Sequence, residues 1–346
     1  MRLSELILAV VTVVAFLPGH AANADDSTSL SGSHTEAAAE GRSHDESAYA
    51  DPGRDALTFA PTYLVGEILS LQLSRARNQG VVINEDTGDT LLSTGDLRYR
   101  LEPGVRVTMG VSLSERTTLE ASYFGLPDWT ARRTVEGDDN LSLPGDIAQT
   151  AVDFLDADQM SVLYLSELHN FEINLVRPVG GSNFALLAGF RYVGLRDRFD
   201  INSFDADSGR SDYDIHSEAH LFGAQIGGRL QKQYGQFGLD FVGKAGIFGN
   251  DAGKHTLLGD SNNTVIVRDS ITHRVGAAFV GEIGLTGKVQ LNPRWCLRGG
   301  YSALWLEGVV RAPDQLDFTD TATSGTALIF GSAFLHGPNI GLEAQW

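Results

Sequence analysis

Charged residues of both signs recur at even spacing along this chain: Arg98, Arg100, Glu102 and Arg106, then Arg191, Arg229, Asp240, Lys244, Glu282, Arg298 and Glu343. Guanidinium, ammonium and carboxylate groups held on one face can do one of two things. They can pair and satisfy each other inside a low-dielectric interior, or they can line a watery passage and set its ion preference. Other residue types raise other chemistry. Asp200, Asp205, Asp207, Asp212 and Asp214 crowd one stretch, and hard oxygen donors at that density are the ligand type for Ca²⁺, with Asp205, Asp207 and Asp212 as candidates. The spacing is not that of an EF-hand, because a register from Asp205 puts His216 where the bidentate Glu belongs; a solvated acidic loop is the plainer reading. Glu167 and His169 raise Ser/His hydrolase chemistry, yet no G-x-S-x-G stretch and no H-E-x-x-H helix accompany them. The expectation is a protein that is not an enzyme and needs no cofactor.

The elements that position the charges follow from what alternates with them. Apolar residues take every second place in Val105, Val107, Met109, Val111 and Leu113, in Phe184, Leu186, Ala188, Phe190 and Tyr192, and in Trp295, Leu297, Tyr301, Ala303 and Trp305. Tyr63, Val65, Leu69, Leu71 and Leu73 share one parity in the same way. Period two is the signature of a strand with one apolar and one polar face. Strands are expected near 60–74, 97–113, 117–126, 160–176, 184–197, 217–232, 236–248, 274–290, 295–309 and 328–346. Tight connections at 114–116, 178–183, 233–236 and 292–294 alternate with long acidic ones at 75–96, 127–159, 198–216, 249–273 and 310–325. Short periplasmic turns and long extracellular loops are the pattern of a membrane β-barrel. Trp295 and Trp305 lie ten residues apart on one face, which at the usual rise and tilt is roughly 25 Å, the height of the apolar band between two aromatic girdles. The chain ends on Ile340, Leu342, Ala344 and Trp346, an alternating strand that must pair with the first strand because lipid offers no partner to a free edge. The reading is an all-β, closed, antiparallel, transmembrane up-and-down barrel of ten strands, with twelve as the alternative.

Compartment and composition agree with this. Arg2, the apolar run from Leu6 to Leu17 and Ala22-Asn23-Ala24 have the form of a secretory signal peptide, 1–24. Residues 25–56 are acidic and poor in large apolar side chains, as a disordered segment is; the barrel takes 57–346. No later stretch is long and apolar enough to cross a bilayer as a helix. A net charge of −18 argues against a nucleic-acid partner. Cys296 is the single cysteine, so burial and backbone hydrogen bonds must hold the fold.

Several stretches resemble a family, the β-barrel porins of planctomycete bacteria. They are Leu119-Glu120-Ala121-Ser122-Tyr123-Phe124-Gly125-Leu126 with Asp128-Trp129; Ser166-Glu167-Leu168-His169-Asn170-Phe171-Glu172-Ile173-Asn174; Leu187-Ala188-Gly189-Phe190-Arg191-Tyr192; Gly243-Lys244-Ala245-Gly246-Ile247-Phe248-Gly249-Asn250; and Leu297-Arg298-Gly299-Gly300-Tyr301. The resemblance implies a location in the outer membrane and brings no known substrate or catalytic residues. A terminal aromatic on the last strand also looks like the signal read by barrel-assembly machinery. The expected partners are outer-membrane lipid, that machinery, and small solutes or ions. The expected function is porin-like passive diffusion; a structural or surface-binding barrel with a plugged lumen is the alternative. Arg98 to Glu343 above are the lumen candidates, and Trp295, Trp305 and Trp346 the girdle candidates.

Overall fold

Side chains on a pleated strand point alternately to its two faces, so a run of alternating residues is stable only where two different environments meet. The computed structural model describes residues 61–346 apart from Gly181 and Ser208; the expected leader and acidic segment lie outside these residues. Twelve strands follow in order: β1 (Pro61–Leu73), β2 (Gly80–Asn84), β3 (Thr90–Ser93), β4 (Glu102–Ser114), β5 (Thr117–Ser142), β6 (Ala157–Pro178), β7 (Phe184–Asp205), β8 (Gly209–Tyr234), β9 (Phe237–Asp260), β10 (Val265–Gln290), β11 (Trp295–Val309) and β12 (Gly331–Gln345). All but β2 and β3 form one antiparallel ring of ten. β1 closes it, pairing with β4 on one side and with β12 on the other, from Tyr63 opposite Gln345 to Leu73 opposite Leu335. β2 and β3 are a hairpin attached to the far end of β5.

One end of the ring is built from tight turns. Tyr234 faces Phe237 across a two-residue turn in which Gly235 has φ +59°, a conformation that favours glycine and matches the twist of a hairpin. Both strands of the seam also end here, where the Trp346 amide donates to the Thr62 carbonyl. At the other end β5 to β10 run on past the rest of the ring.

The outer face near the turn end is apolar. Ile226, Ile247 and Ile340 are 73%, 77% and 58% exposed, a state that water would penalise and lipid does not. Trp295 and Trp346 stand outward at the turn end, and Trp305 stands outward further up β11. Moving away from the turns, the first outward charges are Glu167, Arg196, Glu218, Asp251 and Glu307. They mark the upper limit of the apolar belt.

Three expectations need correction. The stretches 198–216 and 249–273 are not long loops. β7 and β8 pair as far as Asp205 opposite Gly209, and β9 and β10 as far as Asp260 opposite Val265. Much of 127–159 is likewise strand. Acids such as Asp212, Asp214, Asp251 and Asp269 stand on the outward side, while Phe199, Ile201, Tyr213 and Ile215 are buried on the other. β4 starts at Glu102 rather than at residue 97. In β1 the parity of Val65, Leu69, Leu71 and Leu73 faces the interior, and Leu64 and Ile68 face outward.

Ile340→Arg places a charge within the belt and should cost about 2–4 kcal/mol, whereas Ile271→Arg, on the same outward face but beyond the belt, should cost within about 0.5 kcal/mol. Urea titration of the folded, heat-modifiable gel band in lipid vesicles measures both.

Candidate functional site: the closed lumen

In the half of the lumen near the turns, inward positions are charged because ten strands leave little room for bulk water and an isolated ion there is costly. Six carboxylates, Glu67, Glu120, Glu172, Asp240, Glu282 and Glu343, meet six cations, Arg106, Arg191, Arg229, Lys244, Lys288 and Arg298. The pairs form one continuous chain across the barrel. Arg229 grips Glu120 with both terminal nitrogens at 2.9 and 3.0 Å, and the Tyr63 hydroxyl donates to the same carboxylate. Lys288 bridges Asp240 and Glu343, each at 3.4 Å. Arg298 joins Glu343 at 2.5 Å to Glu67 at 3.5 Å. Arg106 spans Glu67 and Glu282 at 3.8 and 3.5 Å. At the deepest point Glu282 takes Arg191 at 2.8 Å and Lys244 at 3.2 Å, and Lys244 reaches Glu172 at 2.7 Å. Polar side chains complete the floor: Arg191 Nε donates to Asn170 at 2.6 Å, and Gln225 Nε2 donates to Glu172 at 2.6 Å.

Below this belt lies a cavity of about 620 Å³ whose lining includes Ser182 and Asn183 from a tight turn and Gln233 and Gln290 from the strand ends beside the turns. It is a cup that opens at the turn end, and the ion pairs are its walls and floor.

Beyond the belt the interior changes character. The inward residues of β7 pass from Arg191 to Val193, Leu195, Phe199 and Ile201, all buried. They join one apolar cluster with Trp129, Tyr164, Leu168, Tyr213, Leu221 and Phe248. The connection from β11 to β12 folds into this cluster. Val310, Arg311, Ala312, Leu316 and Phe318 are buried, and a single 3₁₀ turn, Ala312–Gln315, gives the segment its shape. Arg311 fastens it to the wall. Its Nη2 donates to the Ser74 carbonyl at 3.0 Å, and its Nε lies 3.9 Å from Asp197. Asp197 also accepts from the Tyr164 and Ser166 hydroxyls at 2.5 and 2.6 Å and from the Ala312 amide at 3.3 Å. Further along, Arg268 holds the Asp317 and Thr319 carbonyls at 2.7 and 2.6 Å. The lumen is therefore an open charged cup beneath an apolar plug.

Of the lumen candidates, the structure brings together Arg106, Arg191, Arg229, Asp240, Lys244, Glu282, Arg298 and Glu343. Arg98 and Arg100 stand apart. They precede β4 and are exposed, while Leu97 and Tyr99 between them point inward. Glu102 sits at the far end of β4, away from the cup, and makes none of these ion pairs. Glu67, Glu120, Glu172 and Lys288 belong to the network without having been among the candidates. Their signal was present in Glu120 between Leu119 and Ala121, and in Glu172 between Phe171 and Ile173.

The calcium candidates do not converge. Asp205 accepts the Asp207 amide at 2.7 Å, while Asp212 accepts from Asn202 and Asn263 at 2.5 and 2.8 Å. Asp205 instead groups with Asp139 and Asp158, whose carboxylate oxygens all lie within 4.8 Å of one another, and the neighbouring Asp158 charge raises the Asp139 carboxyl. On the part of β8 that projects beyond the belt, burial and the facing Asp200 carboxyl push Asp214 up to about 7. His169 bonds the Tyr123 hydroxyl, and no serine is among its partners in the described residues.

A family model described as "Putative beta barrel porin-7 (BBP7)" matches residues 64–346. No curated protein matches the chain. Among solved structures, the outer membrane protease OmpT from Escherichia coli is 7% identical, with TM-score 0.44 over 84% of this chain and 98% of that one. The translocator domain of the autotransporter NalP from Neisseria meningitidis is 12% identical, with TM-score 0.38 over 82% and 88%. A FadL homologue from Pseudomonas aeruginosa is 9% identical, with TM-score 0.26 over 82% and 89%. The family and the barrel imply an outer-membrane location and a porin or transport role.

Arg191→Met should destabilise the barrel by about 3–5 kcal/mol, because it strips a buried carboxylate of its nearest partner. Adding Glu282→Gln should recover part of that loss. Urea-unfolding midpoints of the two variants in detergent decide it.

Proposed function

The chain belongs to the beta barrel porin-7 family, and from that premise we propose that it passes small solutes or ions across the outer membrane through a lumen that is closed at rest. The reading rests on one observation above all: a charged cup open at the turn end stops at an apolar plug clamped by Arg311 and Asp197. Both termini of the ring lie at the turn end, which in this reading is periplasmic, as short turns are in such barrels. Trp346 stands in the lower girdle there, where assembly machinery could read it.

Opening requires the 310–318 segment to leave the apolar cluster. Its departure exposes the cup to the outside, and the belt is then the charged lining along the path, the one that would set ion preference. Passage is passive, and no residue acts as a catalyst. The second reading, a structural or surface-binding barrel, draws support from the same apolar cluster and makes the plug permanent.

Planar-bilayer recording separates them. The wild-type barrel should open rarely. Arg311→Ala loosens the clamp, and weakening it by ~1.4 kcal/mol raises the open fraction about tenfold. Arg298→Ala, in the belt, should shift the selectivity of those openings toward cations. A bilayer that stays silent for every variant, with heat-modifiable migration proving the barrels folded, would establish the permanent plug.

A further inference from the structure

The same side-chain pair recurs three times on the outer surface. Tyr123 on β5 bonds His169 Nδ1 on β6 at 2.9 Å, Tyr192 on β7 bonds His220 Nδ1 on β8 at 2.9 Å, and Tyr301 on β11 bonds His336 Nδ1 on β12 at 2.5 Å. The local design is shared. In each, the residue two places after the tyrosine is small and stands directly opposite the histidine: Gly125, Gly194 and Ala303. The tyrosine leans across it. At Gly125 and Gly194 an added Cβ would stand 2.8 and 2.7 Å from the tyrosine oxygen, so the glycines let the ring lie flat and its hydroxyl reach the next strand.

The pairs also share a place. His169 is two residues below Glu167, and His220 two below Glu218, the first outward charges above the apolar belt. His336 lies opposite Ala303, two residues before Trp305 of the upper girdle. Arg196 stands opposite both Glu167 and Glu218, so a cation sits among these acids. This is the height at which a bilayer changes from chains to head groups.

The chemistry follows from the hydrogen bond. A phenol is the better donor and a neutral imidazole nitrogen the better acceptor, so the Tyr hydroxyl donates to Nδ1 and the proton of the neutral ring resides on Nε2. Among the described residues the Nε2 atoms of His169 and His336 make no hydrogen bond; that of His220 lies 3.3 Å from exposed Glu218. The rings of His169 and His336 thus each hold an oriented N–H donor at the interface with no protein partner among the described residues.

We propose that the His169 and His336 pairs are head-group sites, each presenting Nε2–H to a phosphate oxygen of a lipid at the loop-side face of the bilayer, while the Nε2 of His220 is already taken by Glu218. Two sites on separate strand pairs would hold the barrel at a fixed depth. The inference needs the chain to be a membrane barrel, and it is independent of whether the lumen conducts.

The test is solid-state NMR of the histidine-labelled protein in phosphatidylcholine vesicles, with each signal assigned by its His→Gln variant. Magnetisation of Nε2 should dephase through lipid phosphorus at His169 and His336, and less at His220. It should not do so at His255 or His273, which pair with Asp269 and Asp251 further out. In bilayers of a phosphate-free galactolipid the Nε2–H tautomer should persist with no dephasing. Combining Tyr123→Phe, Tyr192→Phe and Tyr301→Phe should mix the tautomers and weaken the phosphorus contact while the barrel still folds. Absence of dephasing at His169 and His336, or equal dephasing at His255 and His273, overturns the proposal. A chain that inserts into neither bilayer instead defeats the membrane-barrel reading.

Discussion

Closure of the sheet is the constraint from which the rest follows. A strand edge in hydrocarbon leaves its amides and carbonyls without partners, so β12 must find β1. Ten strands closed in this way give a narrow interior. Whatever lies inside must fill it and must neutralise itself. The structure meets that demand twice, with ion pairs near the turns and with apolar packing above them.

The two halves do different physical work. The belt of six carboxylates and six cations is electrically balanced, and each charge there is tolerable only because its partners are in place. That makes the charges of the belt interdependent rather than strongly stabilising. The plug contributes burial. Its weak point is its origin in a connection rather than in a strand: the 310–318 segment holds to the wall through scattered hydrogen bonds with Arg268, Asp197, Tyr213, Ser217 and the Ile147 amide, and from its own Arg311 to Ser74, rather than through a strand ladder. Interior and exterior also divide by depth, since charges begin outside at Glu167, Arg196 and Glu218, close to where the Tyr–His pairs stand.

Much of this was legible in the sequence, and the failures share a cause. Strand number, ring order and turn positions came from period-two patterning, because lipid and lumen differ so sharply in polarity. Arg191, Lys244, Glu282 and Arg298 were found since each interrupts an apolar strand on the polar parity. β1 was turned inside out because Leu64 and Ile68 outside and Leu69, Leu71 and Leu73 inside are all apolar; a plug and a bilayer ask for the same residues. The upper halves of β7 to β10 have the composition of loops because acids stand on the outward face of the strands, while Phe199, Ile201, Tyr213 and Ile215 carry the alternation. Arg98 and Arg100 were placed in the lumen by extending a parity past the end of its strand, where period two no longer applies. The plug itself left no pattern, since an in-folded connection has no repeat.

Side-specific thiol labelling tests the central claim most directly. In a Cys296→Ser background, Thr286→Cys places a thiol on the wall of the cup and Leu195→Cys places one on the β7 wall within the apolar cluster that the plug joins. A membrane-impermeant reagent applied to oriented proteoliposomes should reach Thr286→Cys from the turn side only, and Leu195→Cys from neither side. Labelling of Thr286→Cys from the loop side, or ready labelling of Leu195→Cys, would mean that the lumen is open throughout and would contradict the account.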